Sequence, residues 1–268
     1  MDTHIFFVDV DGTLLRSGRP VSPLVLAAAE RFREAGGRVA LCTGRSPLST
    51  RGIAREMGID TPCVLFTGAA VYDFVAGAAV RTVALPVDVR EAVGRIAAFD
   101  ADLSVQAYTL ERAYLIQSGS VLRERGIREE LEGETTPISA VRGEILKLVL
   151  THGDPGYLSR CAAEVFDDRY HFAFASRRFA EVVARGADKG AGARVVAEYL
   201  GVPMGRTFAA GDAMTDVPML EACGYSFAPE DAPEGVRGRA DETMPSCDAD
   251  GMASAFDRAI AIMRDGRR

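Results

Sequence analysis

Short apolar runs alternate with helix-spaced segments at both ends of this chain, and the first run breaks directly into two aspartates. His4-Ile5-Phe6-Phe7-Val8 is apolar without alternation after its first residue, the pattern of a strand covered on both faces. Asp9-Val10-Asp11-Gly12-Thr13 follows at once. Ser22 and Pro23 read as an N-cap and first helical residue, with Val25, Ala28, Phe32 and Ala35 at helical spacing and Gly36-Gly37 as the stop. A second apolar run at 38–42 ends in Thr43-Gly44-Arg45, a helix is expected around 48–57, and a third run lies at 63–66. Strands separated by helices of this length need crossover connections, and those imply a parallel sheet.

The pattern changes after Pro86. A helix is expected at 88–99, two adjacent short strands at 104–107 and 113–116, and a charged helix at 120–131. A strand at 144–150, a helix at 155–166 and a strand pair at 170–175 and 179–184 complete a stretch that mixes neighbouring strands with helices. Alternation then resumes. A helix at 188–200 leads to a small-residue strand at 206–210 that ends in Gly211-Asp212. A short helix at 218–223, a strand at 225–228 and a closing helix at 251–263 follow. The expected fold class is α/β: a Rossmann-like parallel sheet core at 1–85 and 186–268, interrupted by an α+β cap domain at 86–185. The basic tail at 264–268 reads as a frayed, solvated end.

Composition narrows the partners. Hydrophobic residues make up 48% of the chain and charged residues 26%, which suits a globular protein rather than a disordered one. The net charge of -7 argues against nucleic acid, whose phosphate backbone needs a basic footprint. It leaves room for a small phosphorylated metabolite, which a few local cations and a metal ion can hold. The five cysteines include no CxxC pair, and their odd count suits reduced thiols. No apolar run approaches the ~18–20 residues of a spanning helix. The start of the chain also lacks a signal-peptide pattern. A cytoplasmic protein without a membrane partner is therefore expected. Monomer and homo-oligomer stay equally open.

Ligands of open parallel sheets bind beyond the carboxyl ends of the strands, and three stretches fall there, with a fourth, a lysine at a helix start, between the second and third. Asp9 and Asp11 lie on the same side of an extended chain, where one can be a nucleophile and the other a proton carrier. An acidic turn capping the strand is the plainer reading. Gly12 permits a sharp backbone departure that turns N–H groups toward an anion. The hydroxyl of Thr43 and the N–H of Gly44 suit a phosphate clamp, unless Thr43 merely caps the next helix. Asp212 and Asp216, at i and i+4, suit Mg²⁺, with Asp216 as a helix cap the alternative. Lys189 starts the helix after the insertion. At the same sheet edge it would neutralise a phosphate or keep Asp9 ionised. Arg45 faces either the site or a structural carboxylate. Cys42 reads as a buried thiol, and His4, His152 and His171 show no ligand spacing.

With these four stretches in this order, the chain resembles the haloacid dehalogenase-like superfamily. It is closest to the Cof-type branch, which carries a large cap inserted before the lysine motif. Asp9 to Thr13, Thr43 to Arg45, Lys189-Gly190 and Gly211 to Asp216 carry the likeness. So do Pro218-Met219-Leu220, Ala240-Asp241 and Asp250-Gly251. The resemblance implies a Mg²⁺-dependent phosphatase that hydrolyses a small phosphorylated metabolite, a sugar phosphate or similar, through an aspartyl-phosphate. Asp9 would be the nucleophile. Asp11 would protonate the leaving oxygen and then deprotonate the water. Asp9, the main-chain carbonyl of Asp11 and Asp212 would hold the metal, with Asp216 supporting through water or a hydrogen bond. Thr43 and Lys189 would bind the phosphoryl oxygens, with Gly44 and Arg45 beside them. The cap would cover the site, with Arg112, Tyr114, Arg123 and Arg178 as candidates for selecting substrate. Two residues depart from the family pattern: Thr67 and Thr215 stand where asparagine is usual. A phosphomutase or phosphotransferase on the same scaffold, and a silent phospho-ligand binder, are the alternatives. Asp11 disfavours a dehalogenase, and the lack of an apolar span disfavours a membrane pump.

Overall fold

The computed structural model describes residues 3–16, 18–125, 131 and 134–266. It contains a five-stranded parallel sheet in the order Glu242–Met244, Tyr225–Pro229, Thr207–Ala210, His4–Val8, Gly37–Leu41. The interior strand His4–Val8 is buried on both faces, which explains its unbroken apolar run. Phe6 faces a cluster of rings. Those of Phe32, Phe208, Phe227 and Phe256 have centroids between 4.9 and 5.7 Å from its own. Phe32 comes from the helix Pro23–Glu34 and Phe256 from Gly251–Asp265. Ile5 and Phe7 belong to a second cluster, with Ala193, Val196 and Ala197 of the helix Lys189–Tyr199 and Met219 and Leu220 of the helix Val217–Ala222. The sheet is therefore sandwiched between helices.

Local signals set the helix starts. Ser22 Oγ accepts the N–H of Leu24 at 3.2 Å, and Pro23 supplies a preset φ. Asp188 caps the helix Lys189–Tyr199 by accepting the N–H of Ala191 at 2.8 Å. The strand Cys63–Leu65 reaches the sheet through a parallel bridge between Cys42 and Val64. It also begins a three-stranded sheet with Ala70–Asp73 and Ala78–Thr82. The last two strands, and the edge strand Glu242–Met244, have no counterpart in the sequence expectations.

The chain divides into two compact units. One takes the residues up to Arg45, Thr50–Arg81 and everything from Asp188 onward; the other takes Ser46–Ser49 and Thr82–Ala187. The second unit has its own antiparallel sheet, ordered Ala113–Gln117, Ser104–Tyr108, Lys147–Thr151, Phe179–Ala184, Tyr170–Ser176. Val93 and Ile96 of the helix Val89–Phe99, and Leu158 of Pro155–Val165, pack on Val105, Ala107, Leu148, Leu150, Ala180 and Val182. The alternate residues of those strands, such as Gln106 and Lys147, lie on the opposite face of the sheet. The strand expected at 144–150 starts later and runs Lys147–Thr151. Of the charged helix expected at 120–131, the structure describes Ser120–Arg125, and residues 126–130 lie outside the described residues, as do 267 and 268 of the tail.

The α/β class is observed. Every cysteine is a free thiol, and Cys42, Cys63 and Cys161 are buried. No helix among the described residues is long and apolar enough to cross a membrane.

Phe6 contacts four other rings and is fully buried. Phe6→Ala is expected to cost about 3–5 kcal/mol of stability. A urea unfolding midpoint measures this, and a loss below about 1 kcal/mol would contradict the packing.

Candidate active site

Strand register brings the site together. Val8 pairs with Leu41 on one side and with Ala210 on the other, so three chains leave the sheet at one level. Two hydrogen bonds extend the ladder past the strands: Asp9 N–H to the Ala210 carbonyl at 2.9 Å, and Cys42 N–H to the Val8 carbonyl at 2.8 Å. The loops carrying Asp9, Thr43 and Asp212 start from this common edge. It is the position in an open parallel sheet where neighbouring connections diverge and leave a crevice.

After Asp9 the chain coils on itself. The N–H of Leu14 donates to the carbonyls of Asp9 and Val10 at 3.2 and 3.1 Å, and that of Leu15 to Val10 at 3.0 Å. Gly12 adopts φ +89°, and a Cβ there would stand 2.5 Å from Asp212 Oδ2. Only glycine lets this turn close on Asp212. The turn also delivers Thr13, whose hydroxyl donates to Asp212 Oδ1 at 2.7 Å. Thr13 lies in the Asp9–Thr13 stretch and has no role among the candidate site residues expected from sequence. Its place in a turn directly after two aspartates is the signal that pointed to it.

Lys189 supplies the cation. Its Nζ donates to Asp9 Oδ1 at 2.5 Å and to Asp216 Oδ1. All three side chains are buried. Close docking of the lysine's helix makes this reach possible. A Cβ on Gly190 would run into the carbonyl of Pro218, and one on Gly192 into the side chain of Val64. The other oxygen of Asp216 accepts the N–H groups of Asp212 and Ala213, at 3.1 and 2.8 Å. Asp216 thus ties the lysine to the loop that holds Asp212.

The result is an acidic cluster short of positive charge. Oxygens of Asp9, Asp212 and Asp216 all lie within 4.8 Å of one another. Three carboxylates and one ammonium leave two net negative charges when all are ionised. Burial, and then the charge of Asp216, push the Asp9 carboxyl well above its usual range, against the pull of Lys189. Burial also raises Asp212, with the Thr13 hydrogen bond opposing it. Burial alone would strip Lys189 of its proton, but Asp216 and Asp9 hold the ammonium above its ordinary range. Hard oxygen donors and an unbalanced charge of two fit a small divalent cation.

Thr43 and Arg45 are held by a strained turn. Thr43 is buried, and its hydroxyl accepts the N–H of Arg45 at 3.2 Å. The carbonyls of Thr43 and Arg45 accept the N–H groups of Thr67 and Phe66, each at 3.1 Å. Phe66 and Thr67 do this with φ of +51° and +58°, the left-handed region that a β-branched residue rarely adopts. Asparagine, usual at this point in the resembled family, enters that region more easily. Thr215 sits half-buried in the short turn Met214–Asp216.

Arg45 goes to a carboxylate. Its Nε and Nη2 donate to Asp11 Oδ2 and Oδ1 at 2.7 and 2.6 Å. Asp11 is half-exposed and stands outside the buried acidic group. Cys42 donates to the Lys189 carbonyl at 3.8 Å, and burial pushes its thiol well up, so it stays protonated and inert. In the second unit, Tyr114 packs against the apolar core and Arg123 reaches the Ser118 carbonyl. His4 stacks on Phe208 and His152 on Tyr157, both structural contacts.

Known proteins are similar to this chain in sequence and in fold. A 5-amino-6-(5-phospho-D-ribitylamino)uracil phosphatase of Bacillus subtilis is 28% identical over 258 residues, covering 93% of this chain and 95% of its own. A phosphoglycolate phosphatase of Natronomonas pharaonis is 28% identical over 260 residues, covering 97% of each chain. A solved haloacid dehalogenase-like hydrolase from Bacteroides thetaiotaomicron superposes with a TM-score of 0.84 at 22% identity, over 96% of this chain and 99% of that one. Both relatives are named as phosphatases, the enzyme class that the resemblance implied. The model of the haloacid dehalogenase-like hydrolases matches residues 6–256. The chain belongs to the haloacid dehalogenase-like hydrolase family.

Proposed function

We propose that this enzyme is a Mg²⁺-dependent phosphatase that hydrolyses a small phosphorylated metabolite, a sugar phosphate or similar ester, through an aspartyl-phosphate on Asp9. One observation carries the reading: Lys189 Nζ sits 2.5 Å from Asp9 Oδ1, inside a buried group that also holds Asp212 and Asp216. A buried nucleophile facing a cation and two further carboxylates suits attack on a dianionic phosphoryl group. The two matched relatives are named for phosphate esters of small metabolites, which supports the substrate class.

The residues divide the work as follows. Asp9 presents an oxygen to phosphorus. Lys189 and Thr43 bind the equatorial oxygens, where negative charge spreads in the transition state. Asp11 gives a proton to the leaving oxygen and later takes one from the attacking water. Thr13 and Asp216 orient Asp212 and Lys189 through the hydrogen bonds described above. Mg²⁺, held by Asp9, Asp212 and the main-chain carbonyl of Asp11 with Asp216 behind them, would offset the repulsion between Asp9 and the phosphate.

Asp9→Asn is expected to abolish phosphate release from an aryl phosphate, and near-normal turnover would refute the nucleophile. The same change is expected to stabilise the metal-free protein. The Asp9 carboxyl is raised by folding, so its ionisation costs stability once the pH exceeds the unfolded carboxylate pKa of about 3.9. The variant's thermal midpoint is therefore expected a few degrees above the parent's at pH 7, with the gap closing toward pH 4. An unchanged or lower midpoint at pH 7 would contradict the charge balance. Excess chelator is expected to stop turnover, and added Mg²⁺ to restore it. Undiminished activity in chelator would remove the metal from the scheme.

A further inference from the structure

Arg45 sends two nitrogens of its guanidinium to one carboxylate, and that carboxylate is Asp11. The contacts, 2.7 Å from Nε and 2.6 Å from Nη2, form a bidentate fork. A fork fixes the plane of the carboxylate as well as its position, which a point charge does not. The arginine side chain is more shielded than its partner, at 20% against 45% exposure. Its backbone is held at both ends, with its N–H on Thr43 Oγ1 and its carbonyl accepting from Phe66. Phe66 and Thr67 make these loop bonds in the left-handed region. Strain of this kind persists only where the surroundings over-determine it, and it gathers at working sites.

We propose that Arg45 is a positioning residue for proton transfer, acting through Asp11 and not on the phosphoryl group. The inference rests on the role given to Asp11 above. As an Asp9 oxygen bonds to phosphorus, the bond from phosphorus to the leaving oxygen breaks. Its electron pair stays on that oxygen, which takes the proton of the Asp11 carboxyl. Asp11 is then a carboxylate with both oxygens accepting, the form the fork matches. In the second half, water bonds to phosphorus and the bond from phosphorus to the Asp9 oxygen breaks, its electron pair returning to the carboxylate. The water's proton passes to Asp11, which restores the starting state. Without the fork, Asp11 keeps its chemistry but loses its fixed place, and a misplaced proton donor is a slow one.

The test compares kcat/KM for an alkyl phosphate and for p-nitrophenyl phosphate. This ratio counts the steps up to leaving-group departure, and nitrophenolate departs without needing a proton. Arg45→Ala is expected to lower the alkyl value by roughly tenfold to a hundredfold. The aryl value is expected to stay within about threefold of the parent's. Arg45→Lys keeps the charge without the fork and is expected to retain most of the alkyl deficit. Asp11→Asn is expected to show the same preference, and adding Arg45→Ala to it should cause no further loss. Equal losses on both substrates, or a loss that adds in full to Asp11→Asn, would overturn the proposal, since Arg45 would then act on the phosphoryl group or on the fold. An Asp11→Asn enzyme impaired equally on both esters would instead refute the role of Asp11 itself, and the proposal with it.

Discussion

Burying two carboxylates around one ammonium, with a third half-buried beside them, is the constraint on which the rest of this molecule depends. Each ion taken from water into the interior costs several kcal/mol unless it is paired and hydrogen-bonded. Lys189 answers two of the carboxylates, and Asp216 meets the remaining demand by accepting two loop N–H groups with its second oxygen. Asp212 has the hydroxyl of Thr13. The group is still one divalent charge short of balance, and burial first, with the charge of Asp216 adding to it, holds the Asp9 and Asp212 carboxyls above their usual range. A stability optimum would not build such a cluster. The proposed function, which draws a metal ion and a phosphoryl group to this cluster, gives a reason for it.

The fold holds the cluster by register and by close approach. Three strand ends level at Val8, Leu41 and Ala210 carry the loops, and the two-sided apolar core keeps those strands from slipping. The helix of Lys189 approaches within glycine distance of Pro218 and Val64. The turn at Gly12 closes against Asp212 with no room for a side chain. The strained pair Phe66 and Thr67 spends backbone energy to aim two N–H groups at the loop of Thr43 and Arg45.

The parts of this arrangement that depend on local pattern were legible in the sequence. Unbroken apolar runs announced the strands, because both faces are covered. Asp9, Asp212 and Asp216 stood where strands must end. Lys189 was legible only through the family resemblance, since nothing local says that Gly190 and Gly192 let its helix dock closely. The fork from Arg45 to Asp11 was left open, because it depends on how two side chains from separate loops meet. The left-handed turn at Thr67 runs against the preference of a β-branched residue, so local reasoning had no route to it. The strands Ala70–Asp73, Ala78–Thr82 and Glu242–Met244 are short and rich in small or polar residues. Pairing with neighbours makes them strands, which no window of sequence contains.

The most direct measurement of the central claim is to quench the enzyme in acid during turnover of an isotopically labelled phosphate ester and locate the label. Asp9 is buried and faces the Lys189 ammonium, so the label is expected on the peptide containing it, in an acyl phosphate that hydroxylamine cleaves. Label on another residue, or steady turnover with no labelled protein at any quench time, would contradict the claim that Asp9 bonds to phosphorus.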